Sequence, residues 1–437
     1  MRKLQLIIQQ FDKNQINENI IINYRKNLIF VSIPNNVKIY EWREWGAKTI
    51  DKIKQAFSKE NEIEITLSIK NSYKRYMFLE GMMVKNFKFE MKKNNKIKPK
   101  IRYNIDNKEK FDKLLQEITS LNKARYLSSL PANIATIDYI KNYVSENFSE
   151  TDVKVEYYYE DMLEKLGMNG HLAVGRGSNQ SPMTIKLEYT PENYNKEYVF
   201  VGKGLVYDTG GLSLKPTDSM VNMHTDKIGA MNLIGLMDYV AKTKPNNKIV
   251  VYLGLAENSI SNKAYRPGDI ITMKNGKTVR ILNTDAEGRM VLFDNLTLAE
   301  EENPNADAIF SIATLTGAAM VQFGKEECPI MGFDANTKKQ IIKTGKNLGE
   351  DFVIAKFNRF IMDDIKDDIA DLRNIGKQRW MGSQKAGIFL THALDKLKNK
   401  YTHFDIAGVS RNDSGFSYFP KNITGFGVRT LMHLVKN

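Results

Sequence analysis

The sequence predicts an α/β protein of two domains. A small basic N-terminal α/β domain spans residues 1–105, a helix over 106–122 links it onward, and a larger C-terminal domain spans 123–437. The larger domain is expected to hold a central mixed sheet covered by helices. Three observations carry this. Strand-like and helix-like runs alternate along nearly the whole chain. The charge divides sharply: residues 1–105 hold 22 Lys and Arg against 10 Asp and Glu, whereas the rest is nearly balanced at 42 against 41. Finally, acidic residues of the larger part fall where apolar runs end, the place where open α/β sheets build their sites.

Taken in order, the first domain offers strands at Leu4–Ile8, Leu28–Ile33 and Ile63–Ile69, the last alternating as IEITLSI. Helices are expected at Ala47–Phe57 and Ser72–Val84. The basic run KKNNKIKPKIR at 92–102 contains Pro99 and reads as a loop or domain edge. Phe111, Leu114, Leu115, Ile118 and Leu121 recur at helical spacing and make 108–128 a helix. Beyond it come a helix at Ala135–Phe148, a strand at Val153–Tyr158, a helix starting at Asp161, and strands at Thr184–Tyr189 and Tyr198–Val201. Helices and strands then run through Gly229–Ala241, Lys248–Leu255, Arg289–Glu301, Ala308–Leu315 and His403–Ala407.

Composition excludes several classes. At 437 residues with 42% hydrophobic and 26% charged, the chain has the make-up of a globular protein with ample core. No run approaches the roughly 20 apolar residues of a membrane helix. The start, MRKLQLIIQQ, lacks a signal-type apolar region and cleavage site, so a cytoplasmic location is expected. The lone Cys328 rules out a disulfide framework and a Cys-based zinc site; it reads as a buried small apolar residue. The basic first domain is compatible with a nucleic-acid partner, but no helix-turn-helix, zinc finger or aromatic-interleaved RNA motif accompanies it. Trp42 and Trp45 in EWREWG are expected to pack on a neighbouring helix.

The chemistry gathers around three short stretches. VFVGKGLVYDTGGLSLKP at 199–216 is a strand running into a Gly-rich loop, with Lys203, Asp208 and Lys215. Its glycine spacing fits neither the dinucleotide fingerprint nor the P-loop. VNMHTDKIGAMN at 221–232 places Asp226 just before a helix, where an Asp on its own reads as an N-cap. NTDAEGR at 283–289 sets Asp285 and Glu287 two residues apart on a strand-to-helix loop, with Arg289 beside them. Carboxylates held that close repel unless a proton or a cation intervenes. Four carboxylates and few histidines point to a hard or mixed metal centre, in which carboxylates bridge two ions. Alone, two of the stretches also have an ordinary structural reading: an N-cap at Asp226, and an acidic turn with a solvated Arg at 283–289. His224 reads as structural or solvated, and Lys227 as pointing to solvent.

Together these motifs resemble the leucyl aminopeptidase family of two-metal exopeptidases. The resemblance is carried by GKGLVYDTGGLSLKP, by RPGDIITMKNGKTVRILNTDAEGR at 266–289, by ATLTGA at 313–318, by ADLRNIG at 370–376 and by TGFGVRTL at 424–431. It covers residues 123–437, while the first domain matches only loosely. It implies a metal-dependent aminopeptidase acting on short peptides, with two divalent ions per subunit: Mn²⁺ or Zn²⁺ first, Co²⁺ or Mg²⁺ also compatible. It implies a tighter metal on Lys203, Asp208, Asp226 and Glu287 and a more exchangeable one on Asp208, Asp285 and Glu287, which together activate a water. It implies that Lys215 polarises the scissile carbonyl and that Arg289 holds a bicarbonate ion as general base. By the same resemblance, Met223, Thr314, Gly317 and Ala407 match positions that line the pocket for the first residue, and Leu315 one whose backbone meets the substrate. The resemblance further implies a homo-hexamer. The chain departs from the family at Ser410, where a larger apolar residue is usual, and at Lys227-Ile228.

Overall fold

The structure is a computed structural model describing residues 2–11, 20–92, 99–105 and 107–436. The chain forms two compact units. The first comprises residues 1–119 with the later segment 412–424, and the second comprises 120–411 with 425–437. One helix, Lys108–Ser129, carries the chain from one to the other.

The first unit is built on a five-stranded sheet in the order Ile20–Asn23, Leu28–Pro34, Arg2–Phe11, Glu62–Ser68, Lys100–Asn104. Strict alternation buries Ile29, Val31 and Ile33 on one face and leaves their neighbours partly exposed. Of the basic run at 92–102, residues 93–98 lie outside the described residues, and a strand begins at Lys100 where a loop was expected. Ile101 and Tyr103 alternate there and pair in parallel with Ile63 and Ile65, so apolar periodicity outweighs the lysines. The helix expected from Ala47 starts at Glu41 and runs to Ala56, which buries Trp42 and half-buries Trp45. It crosses the helix Ser72–Lys85 closely: a Cβ on Gly46 would stand 2.0 Å from the Phe78 carbonyl oxygen. A buried ion pair, Arg43 with Glu80, joins the same two helices.

The second unit holds an eight-stranded mixed sheet. Its order is Asp351–Ile354, Glu327–Gly332, Tyr401–Asp405, Ala308–Ala313, Glu197–Asp208, Lys248–Asn258, Met183–Tyr189, Lys154–Tyr158. The four central strands, from Tyr401–Asp405 to Lys248–Asn258, are mutually parallel, while Met183–Tyr189 and Lys154–Tyr158 pair antiparallel at one edge. Parallel strands covered on both faces read as continuous apolar runs, and Glu197–Asp208 is buried almost throughout. Helix Gly288–Glu302 lies in the main core with Val199, Val201, Ile309 and Tyr401. Helix Ile228–Thr243 is buried over thirteen successive residues and packs on the Glu197–Asp208 strand. Cys328 sits buried in the Glu327–Gly332 strand, as its composition suggested. No helix among the described residues is long and apolar enough to cross a membrane.

Candidate metal centre

Three strand-to-helix junctions converge in the second unit. The Glu197–Asp208 strand supplies Lys203 from its interior and Asp208 from its last residue. The following loop folds back, with Lys215 N–H donating to the Thr209 carbonyl, so that Lys215 lies against Asp208. A single 3-10 turn, Met223–Thr225, delivers Asp226 before the helix Ile228–Thr243. Asp285 and Glu287 come from the loop that opens helix Gly288–Glu302, with Glu287 at its N-cap position. Asp226 caps nothing with its side chain, unlike the ordinary reading of its position: the cap residue of its helix is Lys227, without a side-chain hydrogen bond.

The side chains meet at short range. Lys203 Nζ lies 2.8 Å from Asp226 Oδ2, 2.8 Å from Glu287 Oε1, and donates to the Thr314 carbonyl oxygen at 3.1 Å. Lys215 Nζ lies 2.8 Å from Asp208 Oδ2 and pairs with Asp285 as well. Carboxylate oxygens of Asp208, Asp285 and Glu287 all lie within 4.8 Å of one another. Gly288 makes room for this: a Cβ there would stand 2.4 Å from Lys203 Cε and 2.6 Å from its Nζ. Only glycine lets the helix start that close to the lysine.

Charge in this cluster is unbalanced. Four carboxylates face two ammonium groups, and all but the half-exposed Asp285 are buried or nearly so. Burial, with Glu287 and Asp208 nearby, pushes Asp285 up to about 6. Burial and the same two neighbours push Asp226 up to about 7 against the pull of Lys203. Asp208 is raised by burial and by Glu287. Glu287 goes the other way: burial opposes its charge, but Lys203 and Lys215 outweigh it. Both lysines are raised, because the carboxylates outweigh the burial that disfavours their charge. Glu287 Oε2 has no hydrogen-bond partner among the described residues. A buried carboxylate oxygen left without a partner is costly, and a cation satisfies it while removing the repulsion. The donor set therefore fits hard divalent ions.

The cluster is braced by residues that motif reading passed over. Asn258, at the end of the neighbouring strand, donates from Nδ2 to Asp208 Oδ1 at 2.8 Å and to the Thr284 carbonyl at 3.1 Å. Thr284 Oγ1 donates to the Gly210 carbonyl and accepts from Ser213 N–H, tying the two site loops together. Asn374, fully buried in the ADLRNIG stretch, accepts from Leu282 N–H and donates to the Asn283 carbonyl. Its own carbonyl takes Arg289 Nη1 at 2.6 Å. The available signal was a buried Asn at a strand end and another in a short matched motif.

Thr314 links to the acids directly, its Oγ1 donating to Asp226 Oδ1 at 2.7 Å. Met223, Leu315 and Ala407 are half-buried, and Gly317 opens the short helix Gly317–Phe323 in an exposed position. Arg289 is buried, not solvated, and burial pulls it down to about 10. Lys227 corrects the expectation most clearly. It is fully buried, and its Nζ donates to the Leu130 carbonyl at 2.8 Å and the His224 carbonyl at 2.5 Å. A long flexible side chain at the helix start folds inward because two carbonyls await its ammonium. His224 is half-buried and stands outside the cluster of acidic oxygens.

Comparison with known proteins agrees with this geometry. Residues 122–432 match the catalytic domain of the cytosol aminopeptidase family. The chain belongs to that family. A probable cytosol aminopeptidase of Persephonella marina is 37% identical over 82% of this chain and 73% of the relative. One from Sulfurihydrogenibium sp. is 37% identical over 80% of this chain and 71% of its own length. One from Campylobacter jejuni is 35% identical over 82% and 72%. In fold, the chain is similar to the bottromycin maturation enzyme BotP in complex with Mn. The TM-score is 0.88, at 22% identity over 99% of this chain and 98% of BotP. As a member of the cytosol aminopeptidase family the chain is a hydrolase, a metal-dependent aminopeptidase acting on peptides.

Proposed function

We propose that this aminopeptidase removes apolar, leucine-like N-terminal residues from short peptides with two divalent metal ions, Mn²⁺ or Zn²⁺ before Co²⁺ or Mg²⁺. The observation that supports this most is a cluster of four carboxylates sharing two lysines, in which the buried Glu287 Oε2 has no hydrogen-bond partner among the described residues. Lys203, Asp208, Asp226 and Glu287 would hold one ion, and Asp208, Asp285 and Glu287 the other. Bound there, such ions supply Lewis acidity and lower the pKa of water.

The chain's own groups have complementary tasks. Lys203 holds its place by its ammonium charge; with dications beside it, the neutral amine becomes the favoured form. Lys215 stays protonated and donates to the scissile carbonyl oxygen, a hydrogen bond that strengthens as negative charge develops. Arg289 would hold a bicarbonate ion, which would supply general-base capacity when bound. Met223, Thr314, Gly317 and Ala407 shape the pocket for the first residue, and the Leu315 backbone aligns the peptide. Ser410 is buried; if it borders this pocket, as the resemblance implies, its hydroxyl would loosen a strict leucine preference. We infer a homo-hexamer working in the cytoplasm.

The test is hydrolysis of leucine p-nitroanilide by purified protein, stripped with chelator and then given Mn²⁺ or Zn²⁺. Activity should vanish with the chelator and return with metal. A folded sample that no divalent ion revives would end the two-metal reading.

A further inference from the structure

Met223 and Asp226 reach the site on a very short element. Met223–Thr225 is a single 3-10 turn of three residues, a geometry with poorer hydrogen bonds than an α-helix. Its own bonds are few. Thr225 donates to the Asn222 carbonyl from its N–H at 2.9 Å and from its Oγ1 at 2.7 Å, and Asp226 N–H donates to the Met223 carbonyl at 3.3 Å. Asp226 has further anchors in Lys203 and Thr314. The half-buried Met223 depends on where the turn itself is held.

The end of helix Lys108–Ser129 offers a firm point. It packs on helix Ile228–Thr243 so closely that a Cβ on Gly235 would stand 2.8 Å from Ala124 Cβ and 2.9 Å from the Ser120 carbonyl oxygen. Ser120 and Lys123 bond Asp238 across the same contact. Just past the helix, the Leu130 carbonyl is one of the end groups a helix cannot pair by itself. The N–H groups of Ile134 and Ala135 turn back to Pro131 instead. Leu130 is buried, so its carbonyl needs a donor from the protein. Lys227 supplies it. Its own backbone is fixed at the helix start, where its carbonyl accepts Met231 N–H at 3.1 Å. Its buried Nζ donates to the Leu130 carbonyl at 2.8 Å and, at 2.5 Å, to the carbonyl of His224 in the middle of the turn. An amine keeps at least two N–H donors with or without its extra proton, so both contacts stand in either charge state.

We propose that Lys227 is a positioning residue for the first-residue pocket: its Nζ ties the His224 carbonyl to the Leu130 carbonyl and so sets where Met223 stands. Met223 and His224 share a peptide unit, so a shift of the His224 backbone carries Met223 with it. Asp226 keeps its place through Lys203 and Thr314. The tie therefore governs selectivity among first residues and leaves metal occupancy alone. This rests on the reading of Met223 as a pocket residue of an aminopeptidase.

The test compares hydrolysis of leucine and alanine p-nitroanilide at saturating Mn²⁺, with metal content measured alongside. Lys227→Met lacks both donor contacts. It should lower the leucine-to-alanine ratio of kcat/KM about fivefold, through KM for leucine, while the alanine rate and the metal content stay within about twofold. Lys227→Gln is equally uncharged but keeps a donor, and should return the ratio to within about twofold of wild type. Met223→Ala should lower the ratio about tenfold, and Lys227→Met added to it should lower it no further. A wild-type ratio in Lys227→Met, equal losses for both substrates, a Gln variant no better than the Met variant, or additive losses in the double variant would overturn the role of Lys227. If Lys227→Met does not fold, Lys227→Leu takes its place with the same expectations; failure of both to fold would make Lys227 a stability residue and overturn its positioning role. A wild-type ratio in Met223→Ala would overturn the reading of Met223 and this proposal with it.

Discussion

Two clusters of charge flank one helix, Ile228–Thr243, and they are built on opposite principles. Within the helix, Asp238 is a single buried carboxylate surrounded by donors. Lys123 Nζ stands at 2.6 Å, Lys242 Nζ at 2.5 Å and Ser120 Oγ at 2.6 Å. Just before its start, Asp226 joins three further carboxylates that share two lysines, and Glu287 Oε2 is left without a hydrogen bond among the described residues. The first cluster is closed: its donors exceed its charge, and nothing more is needed. The second holds an excess of negative charge in a buried place. A structural ion pair balances itself, whereas a site keeps unmet capacity for the ligand it takes.

Substitutions at the two clusters should separate accordingly. The largest effect is expected for Glu287→Gln or Asp285→Asn. Losing even an outer partner of a metal ligand costs roughly 10–100-fold, so losing a ligand should remove more than about 1,000-fold of kcat with the fold intact by circular dichroism. Near-native rates in both variants would erase the distinction between the clusters. Lys215→Ala should lower kcat about 100-fold and alter KM little, as expected of a donor whose bond tightens with developing charge. A pure KM effect would make it a binding group.

Asp238→Asn should do the reverse. It should leave kcat within about twofold and lower unfolding stability by about 2 kcal/mol at neutral pH, measured by denaturant titration. The pH dependence follows from its sign. Burial opposes the Asp238 charge, but hydrogen bonds from Lys123, Lys242 and Ser120 hold its carboxyl below the ordinary 3.8. Its contribution is therefore complete above pH about 4 and is lost as pH falls through the lower folded value, so wild type and variant should converge in acid.

The smallest effect is expected at Lys227, which lies between the clusters. Burial pulls Lys227 down to about 7, so it is only partly charged at neutral pH; Lys227→Met replaces it by an apolar side chain of similar length, and stability should move by no more than about 1 kcal/mol. Removing positive charge beside Asp226 should tighten metal binding in a chelator competition. Weaker binding would mean that the Leu130 and His224 contacts matter more to the site than the charge does.

Most strands and helices were legible because their apolar periods were clean. Glu62–Ser68 alternates strictly, and Ser72–Lys85 and Lys108–Ser129 were read to within a residue at each end. The strand at Lys100–Asn104 was not, because lysines and Pro99 masked the Ile101–Tyr103 alternation. The extra turns of Glu41–Ala56 were missed for lack of an N-cap side chain, since Tyr40 caps nothing. Nor did any local signal assign residues 412–424 to the first unit, because unit membership depends on packing partners distant in sequence.

What the sequence by itself determined is the kind of chemistry: acidic residues at the ends of apolar runs, in motifs dense enough to identify the family. That information is local, carried by spacing along the chain. What only the tertiary structure decided is which donors and acceptors remain unmatched. Lys227, which spacing sends to solvent, is buried on two carbonyls, and Asn258 and Asn374 brace loops far from them in sequence. Glu287 Oε2 is left without a hydrogen bond among the described residues only once three junctions have met. A side chain's partners are set by its surroundings in space, and those are assembled only by the folded core.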